Sequence, residues 1–505
     1  MKNLYQEYIE RFENLEWIKK AVKDYSVEEL EQFYYECLQT GLIESSIITL
    51  RELCIRNLNG VEQTKVIELL NKEIFMHDSD EKVKEYYSSI IYPTLCQEKM
   101  KKNVLFHLYG WLYGGAERAI SRLINELVKE YNIFLVAFSP VENNTFFLDS
   151  HINFMEIKQD FDKVRRLYKL VRLLSPDVFV GNNNSIPEFI VIYEWLENTS
   201  IKTIAYSHEY YFYMHQNSEL CDLVMLKNYY LGKADVATFL TSFSTNAYSL
   251  VNNNGARIPN PLPFDVEETS GFRRKSKQII AVGRWFDYIK RIDLLLEAFK
   301  GVLELEKEAE LTVVGEYNLD LNLPEKNCTV KELIEKLGLN EKQLHFVGNQ
   351  TNVLEWYKKS DVLVMTSDNE GFSMVLIEAQ AVGVPCVLVD IPGLEDVVEN
   401  GKSGYIVKRD ANAIAEKVVD LLNNDDLREK MSMYAQKYVR KFEAKNVSVL
   451  WKKIIEVLLS GKGREELNSY LKNNFRENVI DMEKFSKLII DEYENNLSKI
   501  VKKYE

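Results

Sequence analysis

From Asn103 onward the chain shows short, uninterrupted apolar runs separated by amphipathic stretches. The runs are Val104-Leu105-Phe106, Ile133 to Phe138, Asp177 to Val180 and Thr203 to Tyr206. A second series follows the turn-rich Ile258-Pro259-Asn260-Pro261-Leu262-Pro263: Gln278 to Val282, Leu311 to Val314, Asp361 to Met365 and Cys386 to Val389. Continuous runs of this kind mark strands buried on both faces, as parallel sheets require, and their alternation with helices implies right-handed crossovers. The pattern predicts an α/β chain with two doubly wound domains, 103–265 and 266–445, facing across a cleft and joined near Pro259–Pro263. Residues 1–98 read as helices throughout: Ser26-Val27-Glu28-Glu29 is a capping box, Asp78-Ser79-Asp80-Glu81 opens another helix, and Val66, Leu69 and Leu70 recur at helical spacing. Residues 446–505 read as C-terminal helices, interrupted by Gly461-Lys462-Gly463 and expected in part to pack back on the N-terminal domain.

Composition narrows the function. The 505 residues include 63 Lys+Arg against 77 Asp+Glu, a formal charge of −14, and 46% are apolar. Such a chain can bury two or three cores, and it lacks the basic field that a polynucleotide partner needs. The acidity is uneven: residues 1–98 hold 11 Lys+Arg and 19 Asp+Glu, net −8, so the remainder carries only −6. Six cysteines, Cys37, Cys54, Cys96, Cys221, Cys328 and Cys386, are scattered without C-x-x-C pairs or zinc spacing, as reduced buried thiols would be. No window approaches a membrane span, and the acidic N-terminus is unlike a signal peptide. A cytoplasmic protein is expected, with any membrane contact peripheral, on the inner face.

The chemistry concentrates after two strands. Ser367-Asp368-Asn369-Glu370-Gly371-Phe372-Ser373 leads from a buried strand into a helix that carries Glu378. Free backbone N–H groups at such a helix start, beyond the carboxyl end of a parallel strand, suit an anion such as a diphosphate. Carboxylates accept hydroxyl hydrogen bonds in pairs, which suits one for a ribose and one for a transferred sugar; the alternative is an ordinary capped helix with solvated acids. Val282-Gly283-Arg284 ends another strand and Lys290 follows six residues after Arg284. Two cations there can neutralise a diphosphate, the arginine through its forked donors and the lysine as a point charge.

Gly283-Arg284, Lys290, Val314-Gly315-Glu316, His345-Phe346-Val347-Gly348, the Glu370-x7-Glu378-Ala379 segment, Gly383-Val384-Pro385 and Gly404-Tyr405 together resemble glycosyltransferase family 4. That family comprises retaining, nucleotide-sugar-dependent enzymes of the two-Rossmann-domain GT-B fold. The resemblance is high over about 278–407 and weaker over 103–265. It implies that Arg284 and Lys290 hold the donor diphosphate, Glu378 the ribose hydroxyls and Glu370 the transferred sugar. The backbone of Gly371, Phe372 and Ser373 would lie against sugar and phosphate, and the base would lie near Gly315 and a turn at Phe346-Val347-Gly348. Gly114-Gly115, after the first strand, is similar to the family's glycine loop facing donor phosphates and acceptor. His208, ending another strand, resembles the histidine that faces the transferred sugar; a hydrogen-bonded structural role is its alternative. His107, inside the first strand, reads as structural.

The resemblance implies catalysis by Glu370, His208, Lys290 and Arg284 through front-face substitution, with the leaving diphosphate helping to deprotonate the acceptor hydroxyl. No cofactor or metal is expected, because Asp78-Ser79-Asp80 follows no strand and caps a helix instead. The implied partners are a UDP- or GDP-linked sugar donor and a glycan, lipid-linked saccharide or protein acceptor, in cell-surface polysaccharide or glycoconjugate synthesis of bacterial type. A protein partner or self-association through 1–98 is a further expectation. The basic amphipathic helix 162–174 could rest on an anionic membrane surface, or could simply turn its apolar side to its own sheet. From a different class, a non-catalytic GT-B subunit stabilising a partner transferase would share the architecture. Retention of Arg284, Lys290, Glu370 and Glu378 together favours the enzyme.

Overall fold

The computed structural model describes residues 101–111, 114–138, 146–157, 163–182, 187–197, 199–211, 224–266 and 276–476, together with Glu29. The helical extension expected over 1–98 and the tail beyond 476 therefore lie, Glu29 apart, outside the described residues. Contacts divide the chain into two compact units, one of 1–113 and 127–205 and the other of 114–126 and 206–505.

In the first unit, β1 (Asn103–Leu108), β2 (Asn132–Phe138), β3 (Asn153–Ile157), β4 (Val178–Gly181) and β5 (Lys202–Tyr206) run parallel in the order β3-β2-β1-β4-β5. Both faces are covered, which is why Val104, Leu105 and Phe106 and every residue of β2 are buried in succession instead of alternating with polar residues. The helix Lys163–Leu174 turns Leu167, Leu170, Val171 and Leu174 into this core. Its apolar stripe is thus occupied within its own unit. His107 is buried, and its carbonyl accepts a 2.6 Å hydrogen bond from Asn182 Nδ2.

The second unit contains all but the last residue of the helix Gly115–Leu127, the parallel pair β6 (Val236–Phe239) and β7 (Gly255–Arg257), and a six-stranded sheet. That sheet is built from β8 (Gln278–Val282), β9 (Glu310–Val314), β12 (Leu344–Gly348), β13 (Val362–Met365), β14 (Cys386–Val389) and β15 (Gly404–Val407), with the small hairpin β10 (Asn322–Leu323) and β11 (Cys328–Thr329) beside it in the chain. Its order is β12-β9-β8-β13-β14-β15, parallel throughout. Numbered from its own first strand this is 3-2-1-4-5-6, the doubly wound dinucleotide-fold order, with the reversal of winding between β8 and β13. Ile279, Val313, Val364 and Val387 pack with Leu296 and Phe299 of the helix Ile292–Leu305 and with Val418 and Leu421 of the helix Ala411–Asn423.

The C-terminal helices return to the 206–262 segment of the same unit. Trp451 packs edge-on to Tyr206 at 4.8 Å, Leu262 N–H donates to the Phe442 carbonyl at 2.6 Å, and Arg476 Nε donates to the Gly255 carbonyl at 3.0 Å. Among the described residues no helix is long and apolar enough to cross a membrane. Cys328 and Cys386 are buried free thiols; the other four cysteines lie outside the described residues.

Candidate functional site

The site forms where four strands of the second unit end together. β8 and β13 pair through Ile279 with Val362 and Ile280 with Leu363, so Gly283-Arg284 and Thr366 to Glu370 leave the sheet side by side at the point of winding reversal. β9 and β12 end beside them: Gly283 N–H donates to the Val314 carbonyl at 3.0 Å, and Gly315 N–H to the Gly348 carbonyl at 2.9 Å. Gly315 has φ +114°, and a Cβ there would lie 1.9 Å from the Gly283 carbonyl oxygen. Only glycine meets both conditions, the left-handed backbone and the absent side chain. The expected turn at Phe346–Gly348 is instead the end of β12, where the register with β9 shifts between Phe346 and Gly348. Four mixed residues beside a glycine read locally as a turn; the pairing with β9 makes them a strand, with Val347 half-buried inside it.

Lys290 closes a single 3-10 turn, Tyr288–Lys290, capped by Asp287. Its stem lies against Gly283, its carbonyl accepts from Thr366 Oγ1 at 2.9 Å, and its ammonium meets Glu370 Oε1 at 2.6 Å. Ser367 Oγ reaches the same carboxylate oxygen at 2.8 Å. Two residues singled out in the sequence, 80 positions apart, are therefore direct partners. Arg284 is exposed where β8 ends, and its guanidinium pairs with none of the described residues.

The Lys290–Glu370 pair rests on a charged cluster that the sequence did not disclose. Arg291, buried and left-handed at φ +50°, grips Asp293 with two donors at 3.0 and 2.9 Å, Glu325 at 2.7 Å and Asp368 at 3.3 Å. Arg409 also pairs with Asp368, and Asp368 N–H donates to the Ile289 carbonyl at 2.8 Å. Burial pushes the Asp293 carboxyl up, but the Arg291 guanidinium more than reverses this and holds it below its ordinary range. These contacts fasten the strand-end loop just before Glu370 to the turn that carries Lys290. The visible signal was a run of charge in Lys290-Arg291-x-Asp293; what it pairs with depends on the sheet.

Gly371 and Phe372 complete the loop. A Cβ on Gly371 would fall 2.1 Å from the His208 carbonyl oxygen, so this glycine lets two backbones of the second unit approach. Phe372 is buried, edge-on to Phe442 at 5.2 Å. Ser373 is left-handed at φ +60° and spends its hydroxyl on Met365 Sδ, 3.3 Å away, leaving the first turn of the helix Met374–Ala381 without a side-chain cap. The N–H groups of that turn have no intrahelical acceptors, the condition for an anion site.

Glu378, 3% exposed, has other partners. Arg118 Nη2 pairs with its Oε1, and Tyr357 OH donates to its Oε2 at 3.3 Å. Arg118 comes from the helix that opens at Gly115, and Gly115 lies beside Met374, where a Cβ would be 3.4 Å from its Cγ. Gly115 is thus beside the helix that holds Glu378, while Gly114 is flanked by the Glu117 side chain.

His208 follows β5, with its ring 4.1 Å from the Tyr206 ring. Burial lowers its pKa to about 4, and the neighbouring Glu209 only partly opposes the shift. Lys227 pairs with Glu209 at 2.6 Å. Burial also lowers the pKa of His107, to about 3, in keeping with a structural role in the strand core. Among the described residues no group of three or more His, Cys, Asp or Glu gathers as a metal site.

Two parallel-sheet Rossmann-like domains with this site at a carboxyl edge are the GT-B fold, the architecture of one large class of glycosyltransferases. Residues 265–438 match the family model of glycosyl transferases group 1. The chain is 31% identical over 170 residues to the N-acetyl-alpha-D-glucosaminyl L-malate synthase of Bacillus anthracis, covering 34% of this chain and 42% of that protein. It is also 31% identical over 166 residues to the capsular polysaccharide biosynthesis glycosyltransferase CapM of Staphylococcus aureus, covering 31% and 41%. The chain thus spans less than half the length of either relative. The crystal structure of Anabaena Alr3699/HepE in complex with UDP covers 70% of this chain and 100% of its own, with a TM-score of 0.59 at 16% identity.

Proposed function

We propose that the chain is a retaining, metal-independent glycosyltransferase of the family 4 kind, moving a sugar from a nucleoside-diphosphate donor to a hydroxyl acceptor in cell-surface polysaccharide or glycoconjugate synthesis. The observation that carries this reading is the meeting of Lys290, Glu370 and the uncapped start of the helix Met374–Ala381 at the point of winding reversal between β8 and β13. A cation, a sugar-facing carboxylate and free backbone donors in one place are what a glycosyl diphosphate requires.

In this reading Lys290, Arg284 and the helix N–H groups take the diphosphate, Glu378 takes the ribose, Glu370 takes the transferred sugar, and His208 faces that sugar. Gly315, Val347 and Gly348 lie against the base through their backbone. The bond from the anomeric carbon to the diphosphate oxygen breaks while the bond to the acceptor oxygen forms on the same face. The acceptor proton passes to the departing diphosphate. A UDP-linked donor has the support of the UDP complex among the structures of like fold, and a GDP-linked donor is the other candidate. Polysaccharide synthesis has the support of the CapM likeness.

The test is donor hydrolysis and transfer measured over a panel of UDP- and GDP-sugars. At least one donor should turn over, and Lys290→Ala should lower that turnover by about 10²–10³-fold while the fold persists. Nucleotide binding with no turnover on any donor and any acceptor supplied would overturn the enzyme in favour of a non-catalytic subunit.

A further inference from the structure

Glu378 is almost fully buried, and it stays ionised only if something compensates the loss of water around it. Among the described residues a single cation lies within ion-pair distance of it, Arg118. The arginine is the fourth residue of a helix whose first residue, Gly115, lies beside Met374, the first residue of the helix that carries Glu378. Its side chain is one-third exposed, and its Nε is buried without a hydrogen-bond partner, so the guanidinium is held in place by its neighbours and by the carboxylate alone. Tyr357, fully buried, donates to the other oxygen.

Counting acceptors shows what this leaves. An ionised carboxylate offers about four lone-pair sites, two on each oxygen. Arg118 occupies one on Oε1 and Tyr357 one on Oε2. One site remains on each oxygen, and the plane of the carboxylate is fixed from both ends. Two parallel acceptors in a fixed plane match two vicinal hydroxyls of a cis-diol. With Arg118 removed, the buried carboxylate would take up a proton or turn, and the paired acceptors would be lost.

We propose that Arg118 is a positioning residue for ribose recognition: its guanidinium keeps Glu378 ionised and oriented so that both oxygens accept from the 2′- and 3′-hydroxyls of the donor nucleotide. The proposal rests on the reading that Glu378 takes the ribose, and adds a residue from outside the matched 265–438 segment.

The experiment measures affinity for whichever of UDP, GDP and ADP binds most tightly, and for its 2′,3′-dideoxy analogue, in the full chain and in three variants. The wild type should favour the ribonucleotide roughly tenfold or more, as loss of hydrogen bonds to a charged group predicts. In Glu378→Gln and in Arg118→Gln this ratio should collapse to within about threefold. Arg118→Lys, which keeps the charge and loses the planar fork, should give a ratio at least about threefold below wild type, and it carries the test if Arg118→Gln does not fold. A merely structural arginine would weaken both nucleotides alike and leave the ratio unchanged, which would overturn the proposal. A wild-type ratio in Glu378→Gln would locate the failure in the ribose reading itself, as would a wild type that binds none of the three nucleotides.

Discussion

Lys290 and Glu370 meet at 2.6 Å on an edge that four strands share, and Ser367 donates to the same oxygen at 2.8 Å. The pair sets the charge of the site before any ligand arrives. In the proposed reading a donor diphosphate entering here draws the ammonium toward its own oxygens and frees the carboxylate for sugar hydroxyls. Lys290→Ala and Glu370→Gln should each lower turnover by about 10²–10³-fold, the scale on which single charge-stabilising groups act. Circular dichroism and thermal unfolding should show the fold retained, because both side chains stand at the sheet edge and not in the core. Turnover within a factor of a few of wild type in either variant would remove the assignment.

The two described glycines set closest to other backbone lead to a separable pair of outcomes. Gly315→Ala forces a left-handed backbone and a contact of 1.9 Å with the Gly283 carbonyl oxygen, so it should lower stability by about 1–3 kcal/mol and disturb the ends of β8 and β9 together. Gly371→Ala meets the His208 carbonyl oxygen at 2.1 Å and the carbonyl carbons of His208 and Glu209 at 3.1 Å, but needs no left-handed backbone, and it lies in the loop that carries Glu370. It should cost activity out of proportion to stability, because the displaced loop carries Glu370. Paired measurements of melting temperature and turnover check both; equal losses in the two variants would show that Gly371 has no special bearing on the site.

How much of this could be read beforehand follows from how local each signal is. The eight apolar runs are strands because each is buried on both faces, a property written into consecutive residues such as Ile133 to Phe138. The strands β3, β6, β7 and β15 are short or compositionally mixed, as in Asn153-Phe154-Met155-Glu156-Ile157, and exist through their neighbours in the sheet. Lys290, Glu370, Gly371 and Glu378 stand in recognisable segments. Arg118 was in view as the end of Gly114-Gly115-Ala116-Glu117-Arg118, but its partner lies 260 residues away, and nothing short of the fold brings the two together. The same holds for Arg291 with Asp368 and Glu325.

The histidines give a pH signature. His107 and His208 are held neutral by burial, with pKa values near 3 and 4 against an ordinary value of 6.5. Between those values the unfolded chain binds protons that the folded chain does not, so stability is complete above about pH 6.5 and falls as pH drops toward 4. The slope from each histidine is at most about 1.4 kcal/mol per pH unit. Denaturant unfolding from pH 4 to 8 should show this decline, with a shallower one in His208→Gln. Turnover should show no limb between pH 5 and 8 that His208→Gln removes, since the imidazole stays neutral over that range. A turnover limb near pH 6.5 that this substitution removes would mean that His208 is charged in the working enzyme.

The last expectation concerns metal. A departing diphosphate needs its growing negative charge met, and many transferases meet it with a divalent cation held by carboxylates. Here the groups at the strand ends are of the opposite kind: Arg284 exposed at the end of β8, Lys290 against Gly283, and the uncapped N–H groups that begin at Met374. Glu370 and Glu378 each already hold a cation, Lys290 on one oxygen of Glu370 and Arg118 on one oxygen of Glu378. A divalent ion on either carboxylate would sit beside that resident cation and be repelled by it, or would have to displace it and lose a charge-assisted hydrogen bond. Turnover should therefore be the same, within about twofold, with an excess of chelator as with added magnesium or manganese. Activity abolished by chelator and restored by either metal would show that the basic groups do not neutralise the leaving diphosphate, and the roles given to Arg284 and Lys290 would fall with it.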